Sequence, residues 1–270
     1  MSDWLRRARE AADVAPARLR RPLLLAVASG PNEPIGSIEP QTAGRIAAAG
    51  LALTASAAGY VVAAPADASL AEIARWLHEH RLAAPWRDEL LAVEDSSGRA
   101  LGSVERAVVR VLGLSTEAVH LVGLAPGDTT WVQQRALSKA TDPGRWDTLM
   151  GGQVAAGESI AATLARETTE EAGLVIADLR DLERCPPITI RRPVAEGYMV
   201  ERIEVFRAVV PEGVVPSNRD GEVERFDRLD RAALVERLAA GDFTLEATLI
   251  LGAELERRGV VAVEGGDDSD

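Results

Sequence analysis

The chain has 270 residues, 47% hydrophobic and 27% charged, which is ordinary globular usage with room for a sizeable core and excludes a mostly disordered or fibrous chain. Its 42 acidic and 30 basic residues leave a net charge of −12, which argues against nucleic acid as the main partner. One cysteine, Cys185, excludes an internal disulfide framework and a cysteine-based zinc cluster, and no apolar run reaches the ~18 residues of a membrane span.

In chain order, WLRRAREA predicts a charged opening helix. LRRPLLLAVASG has the letters of a secretory signal, but Asp3, Glu10 and Asp13 spoil the basic region before it. A buried strand followed by a turn at Gly30, Pro31 and Asn32 explains the same letters, so the cytoplasm is the expected compartment. PLLLAVASGPNEPIGSIEP predicts a hairpin, while LALTASAAGYVVAAP is open between helix and strand. SLAEIARWLHEHRL predicts a helix with Ser69 and Glu72 as a capping box and Leu70, Ile73 and Leu77 as its buried stripe. WRDELLAVE and RALGSVERA predict two short strands around Ser97–Gly98. Residues 1–115 therefore read as an accessory α+β unit.

The pattern changes over residues 116–264. AVHLVGL and TTWVQQR predict a strand pair around Pro126–Gly127, and TDPGRWDTLMGG is turn-rich. A helix is expected from Glu158 to Ala172, ended by Gly173. ITIRRP and MVERIEVFRAVV predict strands, and RAALVERLAA and TLEATLILGAELERR predict helices ended by Gly241 and Gly259. This interleaving predicts an α/β or α+β class with a mixed sheet. Residues 265–270 read as a disordered acidic tail.

On a helical wheel, Glu167, Glu170 and Glu171 share one face, while Ala161, Leu164, Ala165, Thr168 and Ala172 form a narrow face suited to packing on a sheet. The carboxylates repel one another at i, i+3 and i+4, and two of them stand at the helix end that favours cations, a cost of about 1–3 kcal/mol if nothing compensates. A divalent cation turns that repulsion into coordination, and carboxylate oxygens suit Mg²⁺. A solvated acidic face explains the carboxylates alone equally well; the full spacing does not leave them alone.

From Gly152 the chain reads G-x5-E-x7-R-E-U-x-E-E-x-G-U through Glu158, Arg166, Glu167, Glu170, Glu171, Gly173 and Leu174. This resembles the box of the Nudix hydrolases, with Thr168 in place of an aliphatic residue. The resemblance implies an α/β fold, a Nudix α/β/α sandwich with a mixed sheet, and hydrolysis of a small-molecule diphosphate linked to another moiety. It also implies Mg²⁺, with Mn²⁺ as the alternative ion. The ligands implied are Glu167, Glu170, Glu171 and the carbonyl of Gly151. Arg166 would orient a glutamate, and Glu158 is open between a partner of Arg166 and an outer ligand. The base that deprotonates water is open between Glu170, Glu171 and a later glutamate, for which Glu222 is preferred to Glu224 because it follows the Asp220–Gly221 turn.

Outside the box, WVQQRALSKATDPGRWDTLMGG and SNRDGEVERF are similar to the Nudix subgroup associated with thiamine pyrophosphokinase. RPLLLAVASGPNEPIGSI and PWRDELLAVE resemble that subgroup's N-terminal domain of unknown function. Thiamine diphosphate or a damaged analogue is the substrate this implies. CoA, ADP-ribose or another nucleoside diphosphate is the alternative, and a non-catalytic diphosphate-binding regulator is the alternative of another class. An isopentenyl-diphosphate isomerase shares the box but relies on a cysteine before it, whereas Cys185 comes after. Arg135, Lys139 and Trp146 are the candidate substrate contacts. Lys139 stands out because it is the one lysine among 30 basic residues, which suggests a site where a guanidinium does not fit. The N-terminal unit is open between a pocket wall, a homodimer surface and neither.

Overall fold

The computed structural model describes residues 2–95 and 97–261; the acidic tail expected at 265–270 lies outside them. The opening helix is present as α1 (Asp3–Ala12). β1 (Arg21–Leu25) and β2 (Glu33–Ile38) form the expected antiparallel hairpin. After α2 (Pro40–Ala48), the segment left open between helix and strand folds as a second hairpin, β3 (Leu53–Ala55) and β4 (Tyr60–Val62). Parallel pairing of β1 with β4 joins the two hairpins in the order β2-β1-β4-β3.

α3 (Ala66–Glu79) corrects one expectation. The helix starts directly after Pro65, so Ser69 is a buried interior residue and makes no cap with Glu72. Proline closes off helix on its N-terminal side, and the first turn forms immediately after it. Leu70, Ile73 and Leu77 are buried as the stripe requires. β5 (Leu90–Glu94) and β6 (Ala100–Glu105) form a separate antiparallel pair. Leu23, Ile38, Ile46, Leu70, Leu77, Leu91 and Val104 share one core.

The larger sheet is built on β7 (Ser115–Ala125) and β13 (Gly197–Val209), which pair in parallel over ten residues of each. With one edge of β7 taken by β13, its other edge is divided. Leu121 to Ala118 pair with β10 (Met150–Gln153), and Gly123 to Ala125 pair with β8 (Thr129–Arg135). β8 then pairs with β9 (Trp146–Asp147) and with β14 (Val223–Asp230). β11 (Arg180–Arg184) and β12 (Ile188–Val194) divide the far edge of β13. The fork of β8 and β10 away from β7 opens the sheet at its middle.

Alternation along β7 sends Ala118 and Val122 to one face and Val119 and Leu121 to the other. The first face is covered by α1, α5 (Arg231–Ala240) and α6 (Leu245–Arg257), and the second by α4 (Ile160–Ala172). The result is an α/β/α sandwich with a mixed sheet behind a smaller sheet-and-helix region. One element crosses between them: Trp4, Leu5, Ala8 and Ala12 of α1 lie in the core with Ile190, Ile203 and Leu251, not with residues 21–114. No helix among the described residues is long and apolar enough to cross a membrane.

Candidate active site

A cavity of about 790 Å³ opens where β8 and β10 diverge. Gly151, Gly152 and Gln153 of β10, His120 of β7, Glu201 of β13, Asp147 of β9 and Arg135 of β8 line it, as do Arg166, Glu167 and Glu170 of α4. Its outer wall comes from the N-terminal region, through Arg87, Glu89, Arg106 and Arg110.

α4 is held at both ends. Ser159 is its N-cap, accepting the N–H of Ala162 at 3.2 Å, and Gly173 ends it at φ +64°. The buried residues Leu164, Thr168, Glu171 and Ala172 face the sheet, whereas Ala161 and Ala165 are exposed. This corrects the small-residue face expected from the wheel: the packing stripe is rotated so that a carboxylate belongs to it. Thr168 is fully buried and its hydroxyl donates to the Leu164 carbonyl at 2.6 Å, so the departure from an aliphatic residue leaves no unpaired polar atom.

The three carboxylates of α4 therefore stand at three depths. Glu170 is half-exposed, Glu167 faces the cavity wall, and Glu171 is 2% exposed. Gly152 is pressed so closely against Glu167 that a Cβ there would collide with the carboxyl carbon. Arg166 binds Glu158 through Nε at 2.9 Å and Nη2 at 2.8 Å, and reaches Glu167 at 2.8 Å and Glu170 at 3.0 Å through Nη1. That guanidinium holds Glu158 down at about 2 and is itself raised, first by its bond to Glu158. Burial pushes Glu167 up, against the pull of Arg166.

Glu171 has a different environment. Its Oε2 accepts the Gly151 N–H at 3.0 Å and the Gln133 amide at 2.9 Å, yet burial pushes it up to about 8. Among the described residues it has no ion-pair partner. No three His, Cys, Asp or Glu residues among those described converge tightly enough to enclose an ion. The donor chemistry nonetheless fits a hard divalent cation: two carboxylates border the cavity, already drawn together around a guanidinium, with an unpaired buried acid behind them.

Glu222 and Lys139 also line the cavity, and they form an ion pair. The loop before Glu222 is pinned to the end of α4, where Ser217 N–H donates to Ala172 O at 2.8 Å and Arg219 N–H to Glu170 O at 3.1 Å. A turn then follows in which Asn218 accepts from Gly221 at 2.9 Å and Asp220 from Glu222 at 2.8 Å. Burial opposes ionisation of Glu222, but the bond and charge of Lys139 outweigh it and hold the acid below its ordinary value. Glu224 does not line the cavity. Arg135 donates to Asp147 at 3.2 Å and to Thr141 O.

Trp146 departs from expectation. It is 6% exposed and lies in the α1–α6 core, with Arg225 and Arg237 over its ring at 5.2 and 4.7 Å. Alternation on β9 turns Asp147, its neighbour, into the cavity instead. His120 escaped the sequence reading. Its ring lies over Gly151, its Nδ1 is 2.9 Å from Thr148 Oγ1, and burial lowers its pKa. Because Thr148 donates to Met150 O at 2.8 Å, its oxygen accepts from His120, which fixes the proton of the neutral ring on Nδ1. Asp147, Glu201, Glu246, Arg106 and Arg110 were also missed, since only the fold brings them together.

A NUDIX domain family model matches residues 114–248, half of the chain. The chain belongs to the Nudix family. Nudix hydrolase 24, chloroplastic, of Arabidopsis thaliana is 31% identical over 196 residues, covering 66% of this chain and 50% of that protein. An uncharacterized Nudix hydrolase of Pseudomonas aeruginosa is 43% identical over 93 residues, 34% of this chain and 55% of that one. The chain thus spans about half the length of these two relatives. An isopentenyl-diphosphate Delta-isomerase of Corynebacterium glutamicum is 29% identical over 167 residues, 60% of this chain and 87% of the isomerase.

Proposed function

We propose that the chain is a divalent-metal-dependent hydrolase of small diphosphates linked to an organic moiety, with Mg²⁺ as the ion and Mn²⁺ as its substitute. The observation that carries this reading is the carboxylate wall of the cavity, where Glu167 and Glu170 share Arg166 in front of the buried, unpaired Glu171. A divalent cation at that wall supplies charge neutralisation of the diphosphate and an acidified water. Glu167, Glu170 and Glu171 are the side chains to hold it, with the backbone of Gly151 beside them. Arg166, anchored by Glu158, aims the first two. Glu222 is positioned to take the proton of the attacking water once Lys139 turns to a phosphate, and Arg135 offers a second cation to the same anion.

Thiamine diphosphate or a damaged analogue is the substrate we propose, on the sequence resemblance of the N-terminal region and of residues 131–152. Isomerisation is not part of the reading, because Cys185 packs against the α1–α6 core and lines no part of the cavity. The test is phosphate release in Mg²⁺ and in EDTA from thiamine diphosphate, its oxidised analogues, ADP-ribose, CoA and nucleoside diphosphates. Release in Mg²⁺ that falls by roughly a thousandfold in Glu170→Gln supports the mechanism. Tight binding with no release from any compound would make the chain a diphosphate-binding regulator.

A further inference from the structure

Most of the charges lining the cavity are matched one against another. Arg166 holds Glu158, Glu167 and Glu170; Lys139 holds Glu222; Arg106 holds Glu89 at 2.6 Å. Arg135 holds Asp147 at 3.2 Å, and Arg110 holds Glu201 at 2.8 Å. Asp142 stands 3.7 Å from Arg145, Asp220 accepts the Glu222 N–H, and Arg87 of the outer wall is exposed; Glu246, in the first turn of α6, is the acid left over. It lines the cavity but has no side-chain partner among the described residues. It sits deep in the fold yet keeps part of its surface open, and that surface faces the cavity.

A second residue of the cavity lining carries a polar atom without a partner. Gln153 donates its amide nitrogen to Glu201 at 2.9 Å, which fixes the orientation of the amide and leaves Oε1 as a buried acceptor with no donor. Gln153 and Gly151 are one pleat repeat apart on β10, so Gln153 lies roughly 7 Å along the strand from Gly151, whose N–H binds Glu171. Arg110 and Arg135, which line the same cavity, are already engaged.

We propose that the Glu246 end of the cavity binds a positively charged organic head on the diphosphate, a quaternary ammonium or a protonated amine, and that Glu246 selects it. The inference deepens the hydrolase reading and rests on it. Burial, together with the like charges of Glu201, Asp147 and Asp142, raises Glu246 to about 7; a cationic head relieves that repulsion, whereas a neutral head of equal size leaves the acid unmatched.

Choline diphosphate and 3,3-dimethylbutyl diphosphate differ in the head only by N⁺ for carbon, and they test the idea on the full chain. Calorimetry in EDTA, where no turnover is expected, should show the cationic ester binding about tenfold tighter or better. Glu246→Gln, close to isosteric, should bring the two within about twofold while leaving the Tm of the free protein unchanged or higher. Equal affinities in the wild-type chain, undetectable binding of both esters, or a preference that survives Glu246→Gln overturns the inference. Phosphate release in Mg²⁺ is read separately. Selective binding without release overturns the hydrolase reading and leaves the selectivity standing, and release of both at equal kcat/KM does the reverse.

Discussion

An acid buried without an ion-pair partner destabilises a fold once it ionises, and Glu171 is in that position. Its ordinary value of 4.5 rises to about 8 in the folded chain, chiefly by burial. Between those values the folded state holds a proton that the unfolded state has lost, so stability falls as pH rises through that window. In EDTA the wild-type Tm should therefore drop from pH 5 to pH 8. Glu171→Gln should flatten the drop, because its amide oxygen still accepts from Gly151 and Gln133. Mg²⁺ should raise the wild-type Tm more at pH 8 than at pH 5; equal shifts at both would detach Glu171 from the ion. Lys139 makes the second residue-scale case. Its charge lowers Glu222, so Lys139→Met should raise KM about tenfold and move the acidic limb of kcat/KM to higher pH. A limb that stays in place removes Glu222 from the role of base.

α4 and the strand before it work as one element because the chain has no slack between them. Gly152→Ala pushes a methyl group into the Glu167 carboxyl group, and since that group ends a flexible side chain, the carboxylate moves while the fold stays. Activity should fall by roughly a hundredfold or more with little change in Tm. Ser159→Ala should do the opposite, costing about 1 kcal/mol of stability through the lost cap and sparing kcat. Spacing made this element legible in the sequence, because a helix repeats side chains on one face and the glycine that ends it needs a positive φ. Strands without alternation stayed hidden. β11 is RDLER with every residue exposed, and β14 is VERFDRLD, whose charges mask its buried Val223 and Leu229. The depth of each carboxylate was hidden as well: a wheel places Glu171 beside Glu170, and only docking of α4 on β7 and β10 separates a buried acid from an exposed one.

At the scale of the molecule, the two regions of the chain share a cavity and exchange an element. Arg106 reaches across it far enough to influence Glu222, which makes the N-terminal region a wall of the site. α1 runs the other way. Its buried face docks on α6, where Leu5 lies against Gly252, and Arg9 binds Glu256 at 2.6 Å. The chain after it is tied to β12 and β13 by Val14 N–H to Arg191 O at 2.8 Å and Tyr198 OH to Val14 O at 3.0 Å. The amphipathic pattern of WLRRAREA announces a buried face but not which of two cores receives it. A boundary drawn at 115/116, or at residue 114 where the NUDIX match begins, therefore cuts off part of the sandwich. A chain starting at residue 114 removes Trp4, Leu5, Ala8 and Ala12 from the core that holds Ile190, Ile203, Ile250 and Leu251, and it should aggregate or unfold at markedly lower denaturant than the full chain. Supplying residues 2–15 through a flexible linker should restore solubility without the rest of the N-terminal region. In the full chain, Leu5→Ala should cost about 2–5 kcal/mol and be felt first as exchange of the protected amides of β12 and α6. Protection lost first from β1 and β4 instead would mean that α1 belongs with the other core.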